Sequence, residues 1–358
     1  MKILFKEDNP ELFRKYWIDF YDKNITSYRY NIDFLDYYFK YNNIVVDKSF
    51  VVEKEGSCIG ICFIPICGKE NNYSIGLNGS YSISPLAIDE KIEYFIFNKI
   101  KEISDEYKIN KIDFFIDPLI SIYKKEYQFN YLKKYDFIEK NSLDCIINLS
   151  IEINILWKNL RKRYKSSINN ILNNPEFEFI IVNKDNPDYS VHEGYRLLHN
   201  KIAGGNSRKK ELFDKQFELL ENSMATLIAI KFQNEFIGYN YFFHSNKTVT
   251  YATGVSEKTY TEKGLSISHA ILWKAILYFK NLDFDYLQFG QPCSFSLISG
   301  FDDYCDSKQL NISNFKKGMG GNIIPIYRGT RYLNKDIFED EIMKFIDIYK
   351  KNLKENHE

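Results

Sequence analysis

Apolar side chains recur at helical spacing over Leu12, Phe13, Tyr16, Trp17 and Phe20, directly after Asn9-Pro10-Glu11. A capping side chain, a proline at the first helical position and an acid in the first turn write a helix start there. From Ser49 to Ile66 the pattern becomes that of a β-hairpin: Phe50-Val51-Val52 enters, Glu55-Gly56 turns, and Ile59 to Ile64 returns. Ile92, Ile96, Ile100 and Ile103 then form the stripe of a core-facing helix, and Lys111 to Ile116 reads as a short apolar strand.

The same order comes back later in the chain. Thr226 to Ile230 enters a hairpin, Gln233-Asn234 turns it, and Phe236 to Phe243 returns. Leu265 to Phe279 is a helix with Ile267, Ala270, Ile271, Leu277 and Tyr278 on one face, followed by a strand at Tyr286 to Phe289. Local words match as well: Gly56 to Gly60 lies over Asn234 to Gly238, and Lys111 to Phe114 over Asp283 to Tyr286. Repeated order at similar intervals predicts a duplicated α/β unit. The boundary falls near residue 150, between a strand at Asp144 to Ser150 and a helix starting near Ile155. The expected domains are 1–150 and 151–358, the second closed by an amphipathic helix at Asp336 to Lys354.

Length agrees with that division, since 358 residues exceed a usual single domain. Lys plus Arg (48) balances Asp plus Glu (48), so no global field draws nucleic acid or an anionic membrane, and a polyanionic partner needs a local patch. The first residues lack the apolar core of a signal peptide, and no apolar stretch approaches the roughly 20 residues that span a bilayer. A cytoplasmic protein is expected, with peripheral membrane association as the variant. Cys58, Cys62, Cys67, Cys145, Cys293 and Cys305 form no CxxC pair and stand near no histidine cluster, so they read as small buried hydrophobes and no metal is expected. The 28 Tyr and 29 Phe read first as core.

Candidate chemistry begins at Leu156 to Asn169. Leu156, Leu160, Tyr164, Ile168 and Leu172 make a buried stripe, which leaves Lys158, Arg161, Lys162, Arg163 and Lys165 for a phosphate or carboxylate. Three more segments follow in order: Leu198 to Arg208 with His199 and Gly204-Gly205, Thr250 to Gly254 with Tyr251, and Asn314 to Gly321 with Phe315-Lys316. Together these segments resemble the FemAB/FemX-like branch of the GNAT superfamily, including its BioF2-like acetyltransferase domains. The resemblance covers about residues 150–330 and reaches the first half only as fold.

That resemblance implies an α/β fold of tandem GNAT-like domains, with mixed, mainly antiparallel sheets and flanking helices, the first domain degenerate and the second catalytic. It implies an N-acyltransferase acting on an amino sugar or peptide in cell-surface glycan assembly, with a nucleotide- or lipid-linked precursor as acceptor. The donor is expected to be acyl-CoA, acetyl-CoA first. A FemX-like aminoacyltransferase using aminoacyl-tRNA is the alternative, disfavoured by the missing basic excess. A catalytically inactive module binding a nucleotide sugar is the third reading.

Acyl transfer needs a neutral amine, a stabilised oxyanion and a proton path. Lys316 matches the family's Phe-Lys dipeptide, which implies that it stabilises the developing negative charge. His199 is the expected base, with His269 behind it. Arg161, Arg163, Tyr164, Lys165, Gly204, Gly205, Arg208 and Tyr251 are the expected substrate contacts. Gly264, Leu265 and Ser266 precede the second-half helix where acyl-CoA-dependent relatives place their phosphates, with one glycine where the common pattern has two. Arg163, His199, Arg208 and Lys316 are expected to meet in one pocket.

Overall fold

A computed structural model describes residues 1–24, 27–42, 44–69, 72–77, 80–206, 208–290 and 306–355. Ser207, Cys293 and Cys305 lie outside them. The first half runs β1 (Lys2–Phe5), α1 (Pro10–Asn24), α2 (Ile32–Tyr41), β2 (Val46–Asp47), β3 (Phe50–Lys54), β4 (Ser57–Cys62), β5 (Pro65–Lys69), β6 (Asn72–Ile75), β7 (Ser82–Ile83), β8 (Leu86–Ala87), α3 (Glu90–Tyr107), β9 (Ile109–Phe115), α4 (Pro118–Ser121), β10 (Ile138–Glu139) and β11 (Ser142–Asn148). There follow α5 (Ile153–Asn159), α6 (Lys162–Leu172), β12 (Phe177–Val182), α7 (Tyr189–Ala203), α8 (Lys210–Glu221), β13 (Ala225–Phe232), β14 (Glu235–Ser245), β15 (Thr248–Ser256), α9 (Lys258–Glu262), α10 (Ile267–Asn281), β16 (Tyr286–Gly290), α11 (Ser307–Lys317), β17 (Asn322–Ile326), β18 (Arg328–Tyr332) and α12 (Lys335–Glu355).

The two hairpins read from sequence are present as β3/β4 and β13/β14. Each turns on two residues with positive φ, Glu55-Gly56 in the first and Gln233-Asn234 in the second, the backbone that a tight hairpin demands. In each half a strand ahead of the main helix runs parallel to the strand after it: β6 and β7 beside β9, and β15 beside β16. The α3 stripe of Ile92, Ile96, Ile100 and Ile103 is buried in the first core, and α10 buries Ile267, Ala270, Ile271 and Ile276 in the second. These are two α/β units, with mixed sheets flanked by helices.

The sheets exchange strands across the middle of the chain. β11 pairs with β16 and β17 in the C-terminal sheet, while β18 pairs with β9 and β10 in the N-terminal one, with α12 packed on β18. A division at residue 150 thus leaves β11, and β18 with α12, on the side opposite the sheet each completes. A third core fills the seam, where Tyr28, Phe34 and Tyr37 pack with Tyr195, Phe213, Tyr241 and Phe243. Burial of this aromatic layer binds the halves together.

The C-terminal sheet also splits open. β15 pairs with β16 only from Thr248 to Thr250, whereas its pairing with β14 continues to Ser256. One extra residue, Ala252, bulges from β15 opposite the Tyr241/Phe242 step, turning the strand away from β16. Tyr251 stands at the fork, its ring near those of Phe242 and Phe289.

Candidate functional site

The basic run at residues 156–169 is two helices and not one. Leu160 and Arg161 are extended between α5 and α6, and the Arg161 N–H donates to the Gly318 carbonyl at 2.9 Å. That tie draws the chain out of helical register, so Arg161 becomes the N-cap of α6, with Lys162 and Arg163 in its first turn. Tyr164, Ile168 and Ile171 carry the buried face, while Leu172, placed in the stripe from sequence, is exposed. Gly318 packs so closely on the Tyr164 ring that a side chain there would collide with it.

Three cations at a helix N-terminus oppose the helix dipole, which favours negative charge in the first turn. α6 has no acid there and no capping side-chain bond, and α10 likewise starts at Ser266 without either. Both N-termini open on one cleft of about 600 Å³ whose wall includes Arg161, Arg163, Ser266, His269, Asn314 and Phe315. Unpaired N–H groups and two guanidiniums facing one space make an anion site. The guanidiniums lie 5.3 and 5.4 Å from the Tyr164 ring centre, which orients them at the cleft edge.

His269 is held neutral beside them. Burial first, and Arg163 second, take its pKa down to about 4, and its Nε2 is buried with no hydrogen-bond partner. A folded-state value below the unfolded one of about 6.5 means that the unfolded chain binds more protons between those limits, so stability is lost as pH falls through this window. His269→Gln should therefore lose less stability on acidification from pH 6.5 to 4 than the native chain, by about 3 kcal/mol at most. Denaturant titrations at the two pH values measure it. His192 and His244, also taken to about 4 by burial, contribute equally to both proteins and cancel in the comparison.

A second cavity, of about 340 Å³, lies between the sheet that holds β9 and β18 and the one that holds β11 and β16. Arg29, Tyr38, Tyr41, Asp144, Gln288 and Arg328 are in its wall. Its floor is a buried polar network contributed by both halves. Arg29, on the single 3-10 turn Tyr28–Tyr30, donates to both carboxylate oxygens of Asp117 at 3.3 Å and to Gln288 Oε1 at 2.8 Å. Thr250 Oγ1 donates to the same Gln288 oxygen at 2.7 Å. With its oxygen fixed by two donors, the Gln288 amide must turn its NH₂ to Asp144, and Nε2 donates to Asp144 Oδ2. Asp144 Oδ1 accepts from the Cys145 N–H at 2.7 Å. Burial pushes the Asp144 carboxyl up to about 6, against the lowering pull of Gln288, Arg29, the Cys145 N–H and Lys316.

Helix α11 separates the two spaces. Phe315 is in the wall of the cleft, while the next residue, Lys316, reaches the other side: its Nζ lies 3.1 Å from where a Cβ on Gly290 would stand, and Gly290 lines the inter-sheet cavity. Gly290 has φ of +79°, so both its backbone and the lysine require glycine.

Among the described residues, those singled out from sequence divide among these places. Arg161, Arg163, Tyr164 and Ser266 share the cleft, and Lys316 stands between the cleft and the inter-sheet cavity. The Arg208 guanidinium lies 5.6 Å from the ring centre of Tyr41, a wall residue of the inter-sheet cavity. Half-buried His199 packs beside Tyr195 and Phe213, lies on neither cavity wall, and has its pKa lowered by burial and by Arg208. Gly204, at φ +75°, ends α7 with Gly205 behind it, and Gly264 follows α9 at φ +85°. Leu265 packs against the second core, and Lys165 Nζ donates to the Lys158 carbonyl at 2.9 Å.

Arg29, Asp144, Thr250 and Gln288 were not singled out from sequence. A signal existed, since Asp144 is the one acid in the apolar run Leu143 to Leu149, and Gln288 stands between Leu287 and Phe289. The thiols of Cys58 and Cys145 are pushed up to about 12 by burial, as fits packing residues. Among the described residues no His/Cys/Asp/Glu group could hold a metal ion, and no helix is long and apolar enough to cross a membrane.

Solved structures share this fold at low sequence identity. FemX aligns at 11% identity over 95% of this chain and 99% of its own, with a TM-score of 0.65. The C-terminal domain of a putative lysylphosphatidylglycerol synthetase from Agrobacterium fabrum aligns at 11% identity over 95% and 96%, with a TM-score of 0.61. L-PGS from Bacillus licheniformis aligns at 12% identity over 97% and 98%, with a TM-score of 0.57. No family model and no curated protein matches the sequence. The chain has the FemX-like GNAT fold.

Proposed function

We propose that this chain is an N-acyltransferase that moves an acyl group from a phosphate-bearing donor to an amine. The observation that carries the reading is the convergence of two uncapped helix N-termini, Arg161 and Arg163 on one cleft, with Lys316 one residue past the cleft wall. The donor's phosphates occupy the cleft, and its acyl end reaches the β15/β16 fork beside Tyr251. The acceptor nitrogen attacks the carbonyl carbon, the carbonyl oxygen takes up negative charge near Lys316, and the bond to the leaving sulfur or oxygen breaks. The leaving atom departs with a proton and the amide remains on the acceptor.

Acetyl-CoA is the first donor to test, and amino sugars or peptides of cell-surface glycan precursors are the first acceptors. Full-length protein mixed with acetyl-CoA and an amine panel should yield an acetylated amine and free CoA by mass spectrometry. Aminoacyl-tRNA is the second donor, supported by the fold shared with FemX and with a putative lysylphosphatidylglycerol synthetase domain. Acceptor binding without turnover on either donor would leave the inactive nucleotide-sugar-binding reading. The Arg161→Ala/Arg163→Ala pair should weaken CoA binding at least about tenfold, since each charge-assisted phosphate bond contributes about 1.5–3 kcal/mol. Calorimetric titration with CoA checks it, and undiminished affinity would move the donor out of the cleft.

A further inference from the structure

We infer that His269 is a third anion-binding group of the cleft, which takes up a proton when a doubly charged phosphate enters, so that the cleft binds this anion and a proton together. The inference rests on the donor site proposed above and gives that site a pH-dependent affinity and a preference for a phosphate monoester over a diester.

His269 stands at the third position of α10, where the helix still has donors to spare. The first intrahelical bond runs from the Ala270 N–H to the Ser266 carbonyl at 3.2 Å, which leaves the N–H groups of Ile267, Ser268 and His269 without a helical partner. The side chain serves the same opening, because its half-buried ring is in the cleft wall with Arg161, Arg163 and Ser266. Two aromatic rings fix where it stands: His269 is edge to face with Tyr164 at 4.2 Å and with Phe315 at 4.7 Å between ring centres. Nε2 has no hydrogen-bond partner, so no bond within the chain commits the imidazole to its neutral form. The π systems of Tyr164 and Phe315 attract the ring once it carries charge.

The charges that face His269 all have one sign. From α6 the charged and titratable groups in the wall are Arg161, Arg163 and Tyr164, while α11 presents the uncharged Asn311, Asn314 and Phe315. No carboxylate is among the described wall residues. The wall without an anion therefore repels a proton, and burial first, with Arg163 second, lowers the imidazole to about 4.

A dianion in the same space reverses the field. It neutralises the influence of Arg163 and gives the imidazolium a counter-charge, so the complex keeps its proton to a higher pH than the free protein. The sign follows from linkage: a group whose pKa is higher in the complex strengthens binding as pH falls from the bound value toward the free one, and adds nothing above the bound value. A singly charged diester reverses the field less, and so draws the proton less.

The test is calorimetric titration of the full chain with sulfate and with methyl sulfate, which keep two and one negative charges throughout the range used. If the bound imidazole returns to its ordinary value of about 6.5, sulfate should bind about tenfold more tightly at pH 5.5 than at pH 7.5, and methyl sulfate should change less than about threefold. Titrations in two buffers of different ionisation enthalpy should show close to one proton taken up per sulfate at about pH 5.5. His269→Gln, which keeps a polar side chain without a titrating ring, should bind sulfate with less than about a twofold change over the same range and take up almost no proton. Histidine ring resonances of the native chain, with His269 assigned by its loss in His269→Gln, should move their midpoint up by about two pH units under saturating sulfate. Sulfate binding that does not vary with pH, a native midpoint that sulfate leaves in place, or equal pH dependence for the two anions overturns the inference. The Arg161→Ala/Arg163→Ala pair separates this failure from that of the donor site. Binding that is abolished in the pair but flat with pH in the native chain overturns the proton uptake and keeps the cleft as an anion site. Binding untouched in the pair, with the fold intact by circular dichroism, puts the anion elsewhere and overturns both.

Discussion

Lys316→Ala should lower turnover about a hundredfold or more while changing acceptor affinity less than about twofold. The expectation follows from where charge develops: a preorganised cation near the carbonyl oxygen acts on the tetrahedral intermediate and only weakly on the ground state. The lysine meets Gly290 at the cavity edge, while the network below is closed by Gln288 and Thr250. Single-turnover rates with saturating donor separate this from a binding defect, since KM equals a dissociation constant only when chemistry is slow. A variant that retains the native rate would remove Lys316 from the chemistry. One that loses affinity and rate together would make it a structural post for α11.

Much of this architecture was legible from periodicity. The hairpins, the α3 and α10 stripes and the terminal amphipathic helix are set by local pattern and turn residues, so they could be read before any contact was known. The strand exchange was not legible. β11 is a short apolar strand and β18 a short one with two arginines, and pairing partners far apart in sequence leave no local mark in either. The break between α5 and α6 was hidden for a related reason. The apolar stripe continues through Leu160 and Tyr164, and only the long-range bond from Arg161 to the Gly318 carbonyl interrupts it. The site was half legible: a run of cations announces itself in composition, whereas a lone buried acid acquires meaning only from what surrounds it. Asp144 is surrounded by Arg29, Gln288 and Lys316, from three separate stretches of chain.

Arg29→Met should be the most destabilising single change in the seam, costing about 3–5 kcal/mol in chemical denaturation at neutral pH. Methionine keeps much of the stem's volume against Tyr28 and Phe115, whose ring centres lie 4.9 and 5.9 Å from the guanidinium carbon. The cost is therefore electrostatic. Asp117 is 0% exposed, and without Arg29 its carboxylate keeps the Ser27 hydroxyl and the Leu119 N–H at 2.9 Å. A buried charge that loses its counter-ion keeps its desolvation penalty, which is why breaking such a pair is worse than never building it. Adding Asp117→Asn should recover a large part of the loss, and the double-mutant cycle gives the coupling directly. A loss below about 1 kcal/mol would mean that water reaches Asp117 and replaces the guanidinium. The same substitution also frees Gln288, which would keep only Thr250 on its oxygen and could rotate away from Asp144.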